Sequence, residues 1–174
     1  EVLFDKINLN SMTELEKMSL KSNIGTVFQG SALFDSMNIE ENVMFPLKMF
    51  KNIPLDEMYD RVNLVLKRVE LENSNKKMPS EASGGMQKRV AIARAIVNEP
   101  KYLFCDEPNS GLDPKTAIVI DNLIKEITKQ IAEVFFRWSQ SVQNRGKNSI
   151  NKPFYLSLAN YADPTSSFLK LKTA

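Results

Sequence analysis

Tyr102-Leu103-Phe104-Cys105 runs directly into Asp106-Glu107-Pro108, and this junction constrains the fold more than any other stretch. Four apolar residues bounded by turn chemistry read as a short buried strand. A strand that delivers a carboxylate pair to its carboxyl end suits an open α/β sheet, where ligands sit beyond the strand ends. Ile24-Gly25-Thr26-Val27-Phe28 is a second such run, ending at Gln29-Gly30. Val2-Leu3-Phe4 and Ile7-Asn8-Leu9 flank Asp5-Lys6 as a strand pair or a strand and turn. Helical spacing fills the intervals. Residues 11–19 form a helix with Ser11 as its N-cap. Residues 39–50 start as a helix that Pro46 interrupts. Leu55, Met58, Val62, Val65, Leu66 and Val69 make residues 55–69 an amphipathic helix. Gly84-Gly85 precedes a helix over 86–97 that stops before Pro100, and residues 117–127 form another. Strands alternating with helices predict an α/β layer fold.

Composition removes several kinds of chemistry. The 174 residues contain no histidine, which excludes imidazole bases, His-based triads and His metal ligands, so bases and metal ligands must be carboxylates. One cysteine, Cys105, cannot build a disulfide framework and points to a reducing compartment. No apolar run approaches the roughly 18 residues of a membrane span, so service to a membrane would run through a partner. A net charge of +2 gives no reason to expect nucleic acid as a partner. Charge is uneven along the chain. Residues 131–174 carry six Lys or Arg against two acids, and seven of the fifteen aromatics. That tail reads as a separate element, a basic membrane-surface segment or sequence foreign to the domain, with at most an extension of helix into 131–142. Its basic character permits contact with anionic lipid head groups, worth roughly 1 kcal/mol per basic residue at such a surface.

Three local patterns carry chemistry. Asp106-Glu107 offers one acid to Mg²⁺, which prefers oxygen ligands, and one to orient or deprotonate water; Asp-Glu-Pro is equally good turn chemistry. Ser83-Gly84-Gly85-Met86-Gln87-Lys88-Arg89 opens a helix with unobstructed backbone N–H groups and the positive end of the dipole, a site for phosphate; it is also an ordinary N-cap. Gln29 leaves a buried strand with an amide that can hold water or a metal-bound group, though any polar residue can end a strand.

Taken together, the three patterns favour function over those plain readings. Val27-Phe28-Gln29, then residues 80–95 around Ser83-Gly84-Gly85, then residues 102–114 through Pro108-Asn109-Ser110-Gly111-Leu112-Asp113-Pro114 resemble the nucleotide-binding domain of ABC transporters over about residues 1–130. The resemblance implies an incomplete P-loop NTPase domain with a helical subdomain over about 31–88 that docks on transmembrane permease subunits. It implies ATP and Mg²⁺ as cofactors and a second ATPase subunit as dimer partner. The expected location is cytoplasmic, peripheral on the inner membrane through the permease. Position by position, Gln29 matches the glutamine that contacts metal and water, and Asp106 matches the aspartate that supports Mg²⁺. Glu107 matches the general base that polarises the attacking water. Ser83, Gly84 and Gly85, with Met86 and Gln87 beside them, match the signature that meets the terminal phosphate of ATP held by the opposite subunit. Asp113 matches the aspartate at the dimer interface. Two departures are Ala82, where leucine is usual, and Met86, where glutamine is common. The wording of the signature and of the Pro-Asn-Ser-Gly-Leu-Asp-Pro turn is most similar to ATPases of bacterial lipid-asymmetry transporters.

No GxxxxGK[ST] occurs in the 174 residues. In this family that loop precedes the glutamine strand by some tens of residues, so it is expected before Glu1. The histidine expected one strand after the 117–127 helix is also absent, and the resemblance ends near Gln130. A preorganised donor at a phosphate site is worth roughly 100- to 1,000-fold in rate, so the chain alone is expected to be inactive, with exposed sheet edges that invite pairing. Two other readings stand beside a partial ATPase. One is a non-catalytic module that lends its signature face to a partner with an intact loop. The other is a DNA-repair or chromosome-type relative, against which the absence of long heptads counts.

Overall fold

The computed structural model describes residues 3–4, 7–128, 131, 133–137 and 156–157. Strands β1 (Leu3–Phe4) and β2 (Ile7–Asn8) pair antiparallel as a separate ribbon. The main sheet has the order β3-β4-β5-β6. Strands β3 (Ile24–Val27), β4 (Tyr102–Asp106) and β5 (Glu133–Arg137) run parallel, and β6 (Leu156–Ser157) is antiparallel to β5. Among the described residues five α-helices accompany it: α1 (Glu14–Ser22), α2 (Ile39–Phe50), α3 (Leu55–Arg68), α4 (Gly84–Ile96) and α5 (Pro114–Thr128). No helix among the described residues is long and apolar enough to cross a membrane.

The core follows the apolar periodicity. Val43 and Leu47 of α2, Val62 and Leu66 of α3, Val90 and Ile92 of α4, Val27 and Leu103 of the sheet and Ile120 of α5 are all essentially inaccessible. α4 is the centre of the molecule. Eight of its thirteen residues are buried, Lys88 and Arg94 among them, the signature of a helix covered on nearly all sides rather than along one stripe. β3 lies hard against it: a Cβ on Gly25 would come within 2.3 Å of the Ala95 carbonyl oxygen, so only glycine fits there.

Four expectations change. The cap of α1 is Thr13, not Ser11. Thr13 and Glu16 form a reciprocal capping box, with the Thr13 N–H donating to Glu16 Oε2 at 2.7 Å, while Ser11 ends a 3-10 turn and donates to the Asn8 carbonyl. Pro46 does not interrupt α2. Ile39, Val43, Met44 and Leu47 are buried on both sides of it, so packing holds the two halves in line despite the lost donor, and the Asn98 amide donates to the Pro46 carbonyl at 3.3 Å. Gly84 and Gly85 do not precede α4 but form its first turn, capped by Ser83. Residues 133–137 extend no helix. Glu133-Val134-Phe135-Phe136-Arg137 is a β-branched and aromatic run that pairs with β4 in register from Tyr102↔Glu133 to Asp106↔Arg137. The rest of the 131–174 tail, and the lipid contact read from it, lie outside the described residues apart from Ile131 and β6.

Candidate functional site

Strand register brings the first candidates together. Thr26 pairs with Phe104 and Val27 with Cys105, so Gln29 and Glu107 each stand two residues beyond the last paired position of neighbouring parallel strands. At that shared edge Gln29 Nε2 donates to Glu107 Oε2 at 3.1 Å and to Ser110 Oγ at 3.4 Å. Glu107 itself has φ +46°. A non-glycine residue in the left-handed region costs about 1–3 kcal/mol, and such strain is held where the surroundings dictate a side chain's direction. Here the strained turn carries the Glu107 carboxylate to the carboxyl edge of the sheet, beside Asp106 at the end of β4.

The donor set suits a hard cation. Asp106, Glu107, the Gln29 amide and the Ser110 hydroxyl present oxygens, and Gln29 spends its nitrogen on Glu107 and Ser110, leaving Oε1 to accept. Mg²⁺ takes such a set with one or two carboxylates and several waters. Among the described residues there is no cluster of three or more His, Cys, Asp or Glu that would form a cage, and the residues present fit an ion that keeps waters and phosphate oxygens.

The signature residues form the N-terminal end of α4. Ser83 Oγ accepts from the Met86 N–H at 3.3 Å, and Ser83 and Gly84 are exposed. Gly85 meets α5 so closely that a Cβ would lie 2.9 Å from Thr116 Cγ2, and Gly84 faces Leu112. The glycines thus bring the start of α4 against the start of α5 as well as clearing its N–H groups. Met86 packs partly buried on the core. Gln87 turns inward, donating to the carbonyls of Pro79 at 3.0 Å and Ala82 at 3.2 Å, so its side chain braces the loop before the helix. Asp113 caps α5, its Oδ1 accepting from the Lys115 and Thr116 N–H groups at 3.1 Å. Bonds from Thr116 hold that carboxyl below the usual aspartate range. No hydrogen bond among the described residues joins Ser83, Gly84 or Asp113 to the Gln29–Glu107 pair.

Sequence reasoning missed three participants. Lys88 is 5% exposed, and its ammonium donates to the Gln29 carbonyl oxygen. Burial pushes Lys88 below its usual value, opposed by the nearby Glu107 and Asp106 carboxylates. The available signal was its place in the pattern Lys88, Ile92, Ala95, the spacing of a buried helix face. Arg94, also buried, donates to the Ser31 carbonyl at 2.8 Å and the Ala32 carbonyl at 2.7 Å. It holds two consecutive residues with φ of 63° and 48°. Asn109 donates to both Asp121 carboxylate oxygens, at 3.1 and 3.3 Å, tying the turn after Glu107 to α5. Nothing local in sequence marks these long-range pairs.

Between β3, α2 and α4 lies a groove of about 430 Å³, lined by Phe28, Phe34, Phe45 and Phe50 with Arg94 and Asn98. Phe28 and Phe34 are 49% and 40% exposed, and the Arg94 guanidinium sits 5.8 Å from the centre of the Phe34 ring.

A family model described as ABC transporter matches residues 1–110. The methionine import ATP-binding protein MetN 1 of Bacillus thuringiensis subsp. konkukian is 39% identical over 129 residues, covering 74% of this chain. The intermembrane phospholipid transport system ATP-binding protein MlaF of Escherichia coli is 38% identical over 131 residues, covering 75%. The chain spans 38% of the length of the first and 49% of the second. Among solved structures, the dimeric bacterial ABC transporter cassette MJ0796 aligns with TM-score 0.64 and 29% identity over 76% of this chain and 66% of its own. CbiO1 from Clostridium perfringens, part of the transporter complex cbiONQ, aligns with TM-score 0.65 and 32% identity over 77% of this chain and 60% of its own. The near-equal identities to MetN 1 and MlaF do not separate a lipid transporter from other importers.

Proposed function

The chain belongs to the ABC transporter family, and from that premise we propose that it carries the hydrolytic edge and the signature face of an ATP-binding subunit that drives transport across a membrane. The observation that carries this reading is the Gln29–Glu107 hydrogen bond, which closes the carboxyl ends of β3 and β4 into one polar edge. In this reading residues 1–130 form part of the ATPase domain and about 31–88 its helical subdomain.

Bound Mg²⁺ would supply charge neutralisation on the ATP phosphates, with Asp106 and the Gln29 oxygen holding it. Glu107 accepts a proton from the attacking water. Its position is set by the left-handed turn and by the Gln29 amide, which orients one carboxylate oxygen and leaves the other for water. Ser83, Gly84 and Gly85 present the N-terminal N–H groups of α4 to a phosphate, the arrangement in which unpaired donors and the helix dipole act together. Met86 and Gln87 support that turn, and Asp113 stands beside the second ATPase subunit. The cargo we assign is a lipid or phospholipid, on the wording of residues 83–89 and 108–114 and the similarity to MlaF. The apolar groove is the docking place for a transmembrane permease subunit, which puts the chain on the cytoplasmic face of the inner membrane.

The test is phosphate release from Mg-ATP by the protein expressed from its complete gene with its membrane subunits. Replacing Glu107 by Gln should lower the rate by about 10²- to 10⁴-fold, the worth of a positioned general base, with ATP still bound. A Glu107→Gln protein hydrolysing at the unaltered rate would overturn the assignment.

The exposed Ser83–Gly84 end of α4 favours a second reading. Here the chain lends its signature face to a partner subunit with an intact phosphate-binding loop. Hydrolysis that appears only on mixing the two would support it, and no gain on mixing would remove it.

A further inference from the structure

We propose that Lys88 and Arg94 are positioning residues that fix the Gln29 amide against Glu107, so that the helix bearing the signature also sets the glutamine. The inference rests on the hydrolytic reading of Gln29 and Glu107 and adds what holds them.

The segment from Gln29 to Ala32 leaves β3 with little support of its own. Ser31 and Ala32 both have positive φ, and Gln29 and Gly30 are exposed. Among the described residues its firmest holds come from two side chains of one helix. Lys88 donates to the Gln29 carbonyl oxygen. Arg94, six residues on, donates to the carbonyls of Ser31 and Ala32. Charge-assisted hydrogen bonds of this kind are about twice as strong as neutral ones, and both cations are buried, at 5% and 9% exposure. A buried cation without its acceptors is costly, so the carbonyls and the cations hold one another in place.

The geometry then carries a consequence. Gln29 is held at its backbone by α4 and at its amide by Glu107 and Ser110. Ser83, which caps α4, lies five residues before Lys88, roughly 7.5 Å along the axis. Eight of the thirteen residues of α4 are buried, and Ser83 and Lys88 are joined by continuous helix, so the signature end and the hold on Gln29 belong to one element with no loop between them.

The experiment is NMR on the ¹⁵N-labelled full chain, reading the Gln29 side-chain NH₂ signal and its exchange with water, with Gln29→Glu used to assign it. In the unaltered chain the signal should be displaced from free glutamine and slow to exchange. Lys88→Met should return it to the free position with exchange at least about tenfold faster, while backbone signals of Val27 and Cys105 stay put. Lys88→Arg should restore it. Arg94→Lys should give an intermediate shift, since one ammonium cannot reach two carbonyls as the guanidinium fork does. An unchanged Gln29 signal in Lys88→Met overturns the proposal. So does a signal that stays displaced from the unaltered position in Lys88→Arg, because packing rather than the cation–carbonyl bond would then be responsible. If Lys88→Met fails to fold, a through-hydrogen-bond correlation between Lys88 Nζ and the Gln29 carbonyl carbon in the unaltered chain decides, and its absence is fatal. No nucleotide enters the readout. Failure of the hydrolysis test with the NMR response intact therefore removes the ATPase reading alone, and the converse removes only the positioning role.

Discussion

Glu107 and Cys105 sit two residues apart and illustrate opposite uses of burial. Glu107 leaves the strand through a positive φ that any side chain resists, and the same turn puts its carboxylate within reach of Gln29. Cys105 points into the core at 2% exposure, and burial pushes its thiol up to about 12. The folded chain therefore keeps a proton that the unfolded chain releases near 9.0. Between those values the unfolded state binds fewer protons, so stability falls as pH rises. The native protein should resist iodoacetamide at pH 8, and modification should appear only with urea, along the unfolding curve. Rapid labelling of the native chain, followed by mass spectrometry, would contradict the burial. Strand and carboxylate pair were legible in the sequence here. The left-handed turn was not, because nothing about Glu-Pro announces φ at the glutamate.

At the scale of elements, the contacts of α4 decide most of the architecture. β3 approaches α4 so closely that Gly25 has no room for a methyl group against the Ala95 carbonyl. Gly25→Ala should lower stability by about 1–3 kcal/mol, the usual cost of overpacking, read as a fall in urea midpoint at constant m-value. α2 is tied to the loop before it through Asn42, which is fully buried; its amide donates to the carbonyls of Phe34, Met37 and Asn38, and its oxygen accepts from the Phe34 N–H. α2 is tied to the segment after α3 through Glu40. Burial by itself raises the Glu40 carboxyl, but the bonds from Lys76 and Asn75 outweigh it and hold the group below its ordinary 4.5. With a depressed folded value, the stabilisation is present above pH 4.5 and is lost as pH falls below it. Urea midpoints from pH 6 to pH 3.5 should drop more steeply for the unaltered chain than for Glu40→Gln, and parallel curves would sink the assignment. The capped and amphipathic helices were legible because caps and periodicity are local. Continuity of α2 through Pro46 was not, since the buried residues flanking the proline outweigh its local cost. Nor was β5, whose pairing with β4 is a contact 31 residues away.

On the scale of the whole molecule, the parallel sheet with α4 behind it does two separate jobs at two ends. The carboxyl edge gathers Gln29, Asp106, Glu107 and Ser110, and the flank between β3, α2 and α4 opens the phenylalanine-lined groove. An exposed apolar patch of this kind marks an interaction surface, and under the transporter reading its occupant is a membrane subunit. Phe34→Asp should cost about 0.5–3 kcal/mol of stability, since the ring packs 4.8 Å from that of Phe45 and lies beside Arg94, and should leave the chain folded. It should also abolish co-purification of the subunit with its permease from detergent. Retention of the permease by Phe34→Asp would move docking elsewhere. The chain spans 38% of the methionine-import relative's length and 49% of the phospholipid-system relative's, so transport itself is a property to be tested on the complete assembly.

By itself the sequence determined the family and the α/β alternation, because short motifs of fixed order and spacing need no knowledge of distant contacts. Residues 80–95 and 102–114 carry that information in the chain itself. Only the tertiary structure decided how the pieces meet. Strand register placed Gln29 and Glu107 side by side. Burial set Lys88 and Arg94 against the carbonyls of the glutamine loop, and folding turned the Gln87 amide onto the Pro79 and Ala82 carbonyls. The physical reason is the same in each case. A buried polar group must find a partner, and residues 78 or 59 positions away in the chain become that partner only once the sheet and α4 have closed together.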